Sequence, residues 1–505
     1  MCGIFSYKGS KHSWDSLAGD INLMSYRGPE NTHHEMAGDD VLFAFHRLAI
    51  MGTTEKGDQP MKHPQDDSLT LVCNGEIYNY KKLADKYGFS LITGSDCEII
   101  LYMFKQFGIE KTVEELDGVF MFVIHDSKTG KLFAGRDPMG VRPGFIGRDG
   151  NEIMIASEAK PLVKHCSEIL PFKPGTWWCS DDSEIFNQYF HYNGVSIREK
   201  TEEDICNKIQ ILLKEAVKKR LMAEREIGCL LSGGLDSSLI TSLVAKYYQG
   251  PKLNTFSIGL PGSVDLEYAQ RVADYLGTAH HQVEVSEAEF LDAIETVIYT
   301  IESFDTTTVR ASVGNYLVSK FISENSNCKV IFNGDGADEV CCGYVYLKNT
   351  PSPSALQNES ERLVEEIHYF DVLRSDRSIS SNGLEARTPF LDKAFVKYYL
   401  SIPPELKIFD GTRRLEKHLL RKAFDNKEIL PDDVLWRRKC AFSDGVSSQK
   451  NSWHHIIQSF VDQKISDEEF RRESPRISHC TPRLKESYYY RKIFEKHFGN
   501  NDQLI

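Results

Sequence analysis

The sequence predicts two domains of different class: a layered α+β domain over residues 2–190, then an α/β domain with a parallel sheet over residues 205–505. Three observations carry this reading. At 505 residues the chain is longer than a single hydrophobic core usually supports. Up to about residue 190, short apolar runs are separated by turn signals such as SKTGK and RDGNE. From about residue 201, helical and strand patterns alternate, the signature of a parallel sheet.

In the first domain the predicted strands are DVLFAFHRLAI, LTLVCNGEI, GVFMFVIHD, KLFAGRD and EIMIASE. One helix is predicted through CEIILYMFKQFG, where apolar residues recur at helical spacing. The second domain opens on TEEDICNKIQILLKEAVKKRL, whose Thr-Glu-Glu-Asp start suits a helix N-terminus. There follow a strand IGCLL, a glycine-rich loop, a helix LITSLVAKYY, a strand LNTFSIGL, a helix EYAQRVADYLG and a strand HHQVEV. A later strand, KVIFNG, precedes a mostly helical remainder, and the polar, proline-containing NTPSPSALQNESE is expected to be a mobile loop.

Composition narrows the function. Hydrophobic residues are 41% and charged residues 26%, as in ordinary globular proteins. The net charge of −13 argues against a general nucleic-acid partner, which needs clustered Lys and Arg, although KHLLRKAF and RRKCAF are local basic segments. No apolar run approaches the length of a membrane span; GVFMFVIH reads as a buried strand. No signal-peptide pattern opens the chain. The 12 cysteines are scattered, without a CxxC pair or zinc-ligand spacing, and are expected as reduced thiols in the cytoplasm.

Two motifs carry chemistry. LLSGGLDSS, Leu230 to Ser238, follows a buried strand and opens a helix. Its glycines admit close approach of a phosphate, and its backbone N–H groups and helix dipole favour an anion. It is not a Walker A loop, since no GK[ST] closes it. Ser232, Ser237 and Ser238 offer hydroxyls, and Asp236 is placed to hold Mg²⁺. The second motif is the start, MCGIF. Removal of Met1 leaves Cys2 with a thiol and a free α-amine, whose ordinary pKa of roughly 7.7–8.0 suits a general base. Nucleophile and base then sit on one residue.

Both halves resemble known families. SGGLDSS is similar to the pyrophosphate loop of the N-type ATP pyrophosphatases, which implies adenylation of a substrate oxygen. MCGIF, YRGPE, HRLAIM, NGEIYNY and GSDCE, in that order, look like a class II glutamine amidotransferase domain, implying an αββα fold of the N-terminal nucleophile type. With FSIGLPGSVDLEYAQ, TTTVRAS, NGDGADEVCCGY, GLEARTPFLD, RRLEKHLLR and FSDGV, nearly the whole chain resembles the glutamine-hydrolysing asparagine synthetases. The resemblance implies a ligase that amidates aspartate through β-aspartyl-AMP, with glutamine as nitrogen donor, ATP as co-substrate, Mg²⁺ as metal, and possible homodimers.

It also implies residue roles. Cys2 attacks the glutamine amide, and Asn74 and Gly75 form the oxyanion hole. Arg47 takes the α-carboxylate, Glu76 and Asp96 the α-ammonium, with Leu48, Ala49, Ile50 and Met51 lining the pocket. An amino acid recognised at both ends needs such a cation and such carboxylates. ATP is expected at Leu231, Ser232, Gly233, Gly234, Asp236, Ser237, Ile258, Asn333 and Gly334, with Mg²⁺ at Asp236 and Asp338. Lys417 offsets charge on departing pyrophosphate, and Arg310, Glu339 and Arg387 are candidates for aspartate.

The chain departs from the family pattern at one place. Where the family usually shows SGEGSDE, this chain has NGDGADE, with Asn333 for Ser, Asp335 for Glu and Ala337 for Ser. Asp335 keeps a carboxylate but is one methylene shorter, and a displacement of about 1 Å can cost on the order of 10²-fold in rate. Two other readings stay open on sequence: a relative that adenylates a different carboxylate, and a non-catalytic regulatory relative.

Overall fold

The computed structural model describes residues 1–181, 186–192, 197–199, 201–425, 429–439, 453–501 and 504. FSDGV and the second half of RRKCAF lie outside the described residues.

The N-terminal half contains two six-stranded sheets stacked face to face. In the first, the strand order is Glu168–Pro171, Phe145–Asp149, Glu152–Ala156, Gly3–Lys8, Val41–Arg47, Asn31–Met36. In the second it is Asn187–Gln188, Thr176–Cys179, Lys131–Arg136, Gly118–Asp126, Asp66–Ile77, Met61–His63. All pairings named within these sheets are antiparallel.

Strand periodicity explains the layering. Ile4, Val41, Phe43 and Phe45 point inward and meet Val72, Met121, Val123 and Ala134 of the other sheet. Their neighbours Phe5, Leu42 and Ala44 point the opposite way, towards Leu17, Ile21 and Met24. On the outer face of the second sheet, Leu71, Phe120, Phe122 and Ile124 pack against the helices Tyr80–Tyr87 and Glu98–Glu115. Apolar residues on both faces account for the unbroken hydrophobic runs in these strands. Truncation of a fully buried Phe such as Phe43 should cost about 3–5 kcal/mol.

The second half is built on a five-stranded parallel sheet in the order Ala279–Glu284, Asn254–Gly259, Ile227–Leu230, Val330–Phe332, Glu385–Arg387. The helix Glu202–Arg220 begins at Thr201, whose side chain accepts from the Asp204 N–H, as the sequence predicts. Two expectations are corrected. NTPSPSALQNESE is mostly helix, Pro353–Glu365, with Ser352 as N-cap accepting from Ala355 N–H and Pro353 in the first turn. The sheet also has a fifth strand, Glu385–Arg387, inside GLEARTPFLD, too short to leave a periodic signal.

One hydrophobic cluster crosses between the halves, joining Met1, Phe5 and Met154 to Phe256, Ile294 and Ile331. Buried charges join them too. Arg27 Nη1 donates to Glu158 at 2.8 Å, to Asp376 at 3.0 Å and to Ser380 Oγ at 2.9 Å. Arg377 pairs with Glu158 at 3.0 Å and with Glu302 at 3.2 Å. These ions are fully sequestered, so removal of one partner would strand the others.

Candidate active sites

Cys2 immediately precedes the strand Gly3–Lys8 inside the first sheet and faces the end of the long strand Asp66–Ile77. Its backbone N–H donates to Asn74 Oδ1 at 3.0 Å, and its Sγ lies 3.6 Å from the Leu48 carbonyl. Asn74 is wholly buried, and its Nδ2 has no hydrogen-bond partner among the described residues. A buried, unpaired donor beside a thiol is what a developing oxyanion requires. A Cβ on Gly75 would sit 2.5 Å from the Val119 carbonyl oxygen, so the backbone passes here only without a side chain.

With Met1 in place this thiol has no adjacent free amine of its own. Burial pushes the Cys2 thiol up to about 11. The α-amine belongs to Met1, is lowered by burial to about 6, and points at the Leu384 carbonyl. Removal of Met1 would turn the nitrogen now donating to Asn74 into a free amine beside the thiol.

Arg47, Glu76 and Asp96, the charged groups expected to recognise glutamine, are buried, which excludes a surface ion pair between Arg47 and Asp96. Arg47 donates to the Thr54 carbonyl at 2.9 Å and the Gly52 carbonyl at 2.5 Å, and pairs with Asp58. Burial raises Asp96 to about 6. Glu76 is held well above the usual carboxylate range by burial and by the Asp96 charge. Two such carboxylates suit an incoming ammonium, which would offset both effects. Ile77 N–H orients Asp96 at 2.5 Å. The segment Leu48–Met51 is fixed from the other half: Arg225 Nε donates to the Ala49 carbonyl at 2.9 Å, and Glu224 N–H to the Ile50 carbonyl at 3.0 Å.

The second site is a cavity of about 700 Å³ at the carboxyl ends of the parallel strands. Ser232, Gly234, Asp236, Ser237, Asn333, Gly334, Asp335, Asp338, Lys417 and Arg310 all line it. The loop after Ile227–Leu230 is held by Ser232 and Ser237, whose hydroxyls are 2.9 Å apart. Gly233 has φ +71, and a Cβ there would sit 2.5 Å from the backbone of Tyr268 and Ala269. A Cβ on Gly334 would lie 2.8 Å from Ser237 N, so the SGGLDSS and NGDGADE loops meet backbone to backbone.

Lys417 is not on a solvated helix face: it is 4% exposed and adopts a left-handed backbone, φ +58. Its Nζ pairs with Asp236 and, at 2.6 Å, with Asp338. Lys439, which sequence reasoning missed, also pairs with Asp338. The two ammonium groups hold Asp338 well below the usual carboxylate range despite its burial. Asp236 Oδ1 is buried without a hydrogen-bond partner among the described residues. Two carboxylates with a spare buried oxygen fit Mg²⁺, which typically takes one or two protein carboxylates plus substrate phosphates. Asp335 is raised by burial to about 6, with Arg374 at 2.7 Å opposing the rise.

Five expected residues do not line the cavity: Gly233, packed on Tyr268 and Ala269, and four more. Leu230 rather than Leu231 faces the cavity, since strand alternation turns Leu231 into the core, where Ile258 is also buried. Glu339 sits behind the cavity wall, accepting from Tyr344 OH at 2.5 Å. Arg387 is wholly buried away from this cavity, paired with Glu385 at 2.6 Å and with Glu76 of the first site at 3.4 Å. Its place in a short sheet strand explains the difference: the side chain points between the two halves. Arg310 does line the cavity, where Glu486 already holds it at 2.7 Å.

These two sites, one on each half, define a class: a two-domain ligase that couples an N-terminal thiol to a nucleotide-type loop. Residues 1–204 match the family model for a glutamine amidotransferase domain, and residues 208–355 and 348–503 match that for asparagine synthase. The chain is 44% identical over 494 residues to a glutamine-hydrolysing asparagine synthetase of Rattus norvegicus, covering 92% of this chain and 87% of that protein. Against the Homo sapiens protein of the same description it is 43% identical over 493 residues, with the same coverage. The chain belongs to the glutamine-hydrolysing asparagine synthetase family.

Proposed function

We propose that the two sites act in series, with residue roles as follows. Met1 is removed, and the Cys2 α-amine takes the thiol proton as Sγ attacks the side-chain amide carbon of glutamine. Asn74 Nδ2 and the Gly75 N–H stabilise the negative oxygen. The amine returns its proton to the departing ammonia, and water then releases glutamate from Cys2. Arg47, Glu76 and Asp96 hold the two ends of the amino acid, and Leu48 to Met51 form the wall.

In the second site ATP lies along Ser232–Ser237, Asn333 and Gly334. The β-carboxylate of aspartate attacks the α-phosphorus and pyrophosphate leaves, with Lys417 offsetting its charge. Asp236 and Asp338 would hold Mg²⁺, which neutralises phosphate charge when bound. Asp335 serves formation of the acyl-adenylate, and Arg310 contacts aspartate once it rotates from Glu486. Ammonia that stays neutral in a desolvated interior attacks the acyl carbon, and AMP departs. The domain division 2–190 and 205–505, a homodimer and a cytoplasmic setting belong to the same reading. Eleven free thiols among the described residues and the lack of any described helix long and apolar enough to cross a membrane fit that setting.

The observation that supports this reading most directly is the convergence of Asp236, Asp338 and Lys417 in one cavity beside a glycine-rich loop. The test is a product assay with aspartate, ATP, Mg²⁺ and either glutamine or ammonia. Asparagine, AMP and pyrophosphate are expected in equal amounts from both donors. Cys2→Ala should lose glutamine use entirely and keep ammonia use within about twofold. Pyrophosphate without asparagine would point to another acceptor carboxylate; no ATP cleavage would overturn the reading.

A further inference from the structure

The carboxylate of Asp335 is gripped at both oxygens. Asn333 Nδ2 donates to Oδ2 at 2.6 Å, and Arg374 Nη2 donates to Oδ1 at 2.7 Å. The same Asn333 amide donates to Ser375 Oγ at 2.7 Å, and Ser375 is 1% exposed. Asn333 ends the strand Val330–Phe332, where its own N–H donates to the Arg387 carbonyl at 3.1 Å. Arg374 and Ser375 are neighbours on the helix Asp371–Ser380. Arg374 also pairs with Asp371, which accepts from Gly336 N–H at 3.0 Å. One strand end, one loop and one helix therefore meet on a single carboxylate.

We propose that Asn333, Ser375 and Arg374 are positioning residues that fix the Asp335 carboxylate for adenylation of the substrate. This rests on the reading of Asp335 as the group serving that step. Of the three changes in this loop from the pattern it resembles, two meet at this carboxylate, Asn333 for Ser and Asp335 for Glu. They compensate in space. Asp is shorter than Glu by one methylene, about 1.5 Å of reach, and Asn is longer than Ser by about one bond. A serine at 333 would leave Oδ2 without its donor and Ser375 without its tie to the strand. A glutamate at 335 would be driven past Arg374 while Asn333 stays in place. Each change alone breaks the grip, and the two together restore it. Near-attack geometry tolerates little displacement, so the grip bears on the rate of the step more than on ground-state binding.

The experiment uses the full chain with ammonia as nitrogen donor, and reads aspartate-dependent pyrophosphate release as separate kcat and KM values. The variants are Asn333→Ser, Asp335→Glu, the double variant, Ser375→Ala and Asp335→Asn. Glutamine hydrolysis and the melting temperature report whether each variant is folded. Asn333→Ser and Asp335→Glu should each lower kcat by about tenfold or more, with KM for ATP within about twofold. The double variant should return to within a few-fold of the unaltered protein, a non-additivity that a merely structural role would not produce. Ser375→Ala should lower kcat by a few-fold. Additive losses in the double variant, or Asn333→Ser at full kcat, would overturn the proposal. Asp335→Asn separates the two readings. Full turnover in that variant removes Asp335 from the step, whatever Asn333 does. Lost turnover there, with Asn333→Ser and Ser375→Ala unaffected, keeps Asp335 and rejects the positioning residues.

Discussion

The two sites differ most in their access to solvent. At the cysteine site Asn74 is 0% and Asp96 2% exposed, and the recognition groups are closed in by the segment Leu48–Met51 and the turn after it. At the nucleotide-type loop a cavity of about 700 Å³ is open, and the Asp335 and Asp338 side chains are 14% and 23% exposed. On the proposed reading the closed site would hold a small amino acid by a few buried contacts, each strengthened by low dielectric. The open site would hold a large polyanion by a loop, a helix start and several cations. A defect in either should stay local where the charges between the halves are tied to one another, as Arg27, Arg377, Glu158 and Asp376 are; Arg387, which pairs with Glu76, is the exception.

The largest test of that separation is Lys417→Met. It removes the cation shared by Asp236 and Asp338, leaving Asp236 without an ion-pair partner among the described residues and Asp338 with Lys439 alone. ATP-dependent turnover should fall on the order of 10³-fold, while glutamine hydrolysis measured without ATP stays unchanged. Equal losses in both would show that the sites do not work independently. The converse is Asn74→Ala, which removes both the unpaired Nδ2 and the acceptor for the Cys2 nitrogen. Glutamine hydrolysis should fall on the order of 10²-fold. Ammonia-dependent pyrophosphate release is the measurement that should not move.

A third test uses pH. Asp96 is raised to about 6 and Glu76 is also raised, both chiefly by burial, with Glu385 adding to the rise and Arg387 opposing it. In the proposed reading the ammonium end of glutamine would bind the ionised carboxylates and lower their pKa. Binding is therefore weak below pH 6 and strengthens as pH rises through that value. Glutaminase kcat/KM, measured without ATP, should climb by about tenfold per pH unit on this limb and then level. In Asp96→Asn the limb should shift or disappear. A flat profile between pH 5 and 7 would mean that Asp96 and Glu76 are not what the ammonium meets.

The two regions were also unequally legible in the sequence. At the closed site Cys2, Arg47, Asn74 and Asp96 each lie in a short motif, MCGIF, HRLAIM, NGEIYNY or GSDCE, legible through the family resemblance, whereas Asp58, Glu224 and Arg225, which brace the site, lie in none of them. At the open site the legible parts are the SGGLDSS and NGDGADE loops, Arg310 in TTTVRAS and Lys417 in RRLEKHLLR. Asp371 and Arg374 reach the same cavity from one helix, Tyr344 from the end of NGDGADEVCCGY and Lys439 from RRKCAF, and nothing in the sequence brings these three segments together. Pro353 and Ser352 misled for a different reason: the residues that mark a loop also start a helix. Arg387 misled because three strand residues carry too little pattern to show which way a side chain points.

The smallest expected effect concerns the turn that closes the first site. Arg47 already has a carboxylate partner, Asp58, besides the Gly52 and Thr54 carbonyls. A Cβ on Gly57 would lie 2.7 Å from Arg47 Nη2, so the turn wraps the guanidinium closely. The α-carboxylate of glutamine must therefore share or displace Asp58, whose side chain is 19% exposed and also pairs with His33 at 3.2 Å. A partly exposed pair of this kind contributes about 1 kcal/mol. Asp58→Asn keeps the shape and removes the charge, so KM for glutamine should fall by about fivefold with kcat unchanged. A rise in KM instead would mean that Asp58 orients Arg47 for the substrate rather than standing in its place. The closed site would then be preorganised by its turn, not held shut by it.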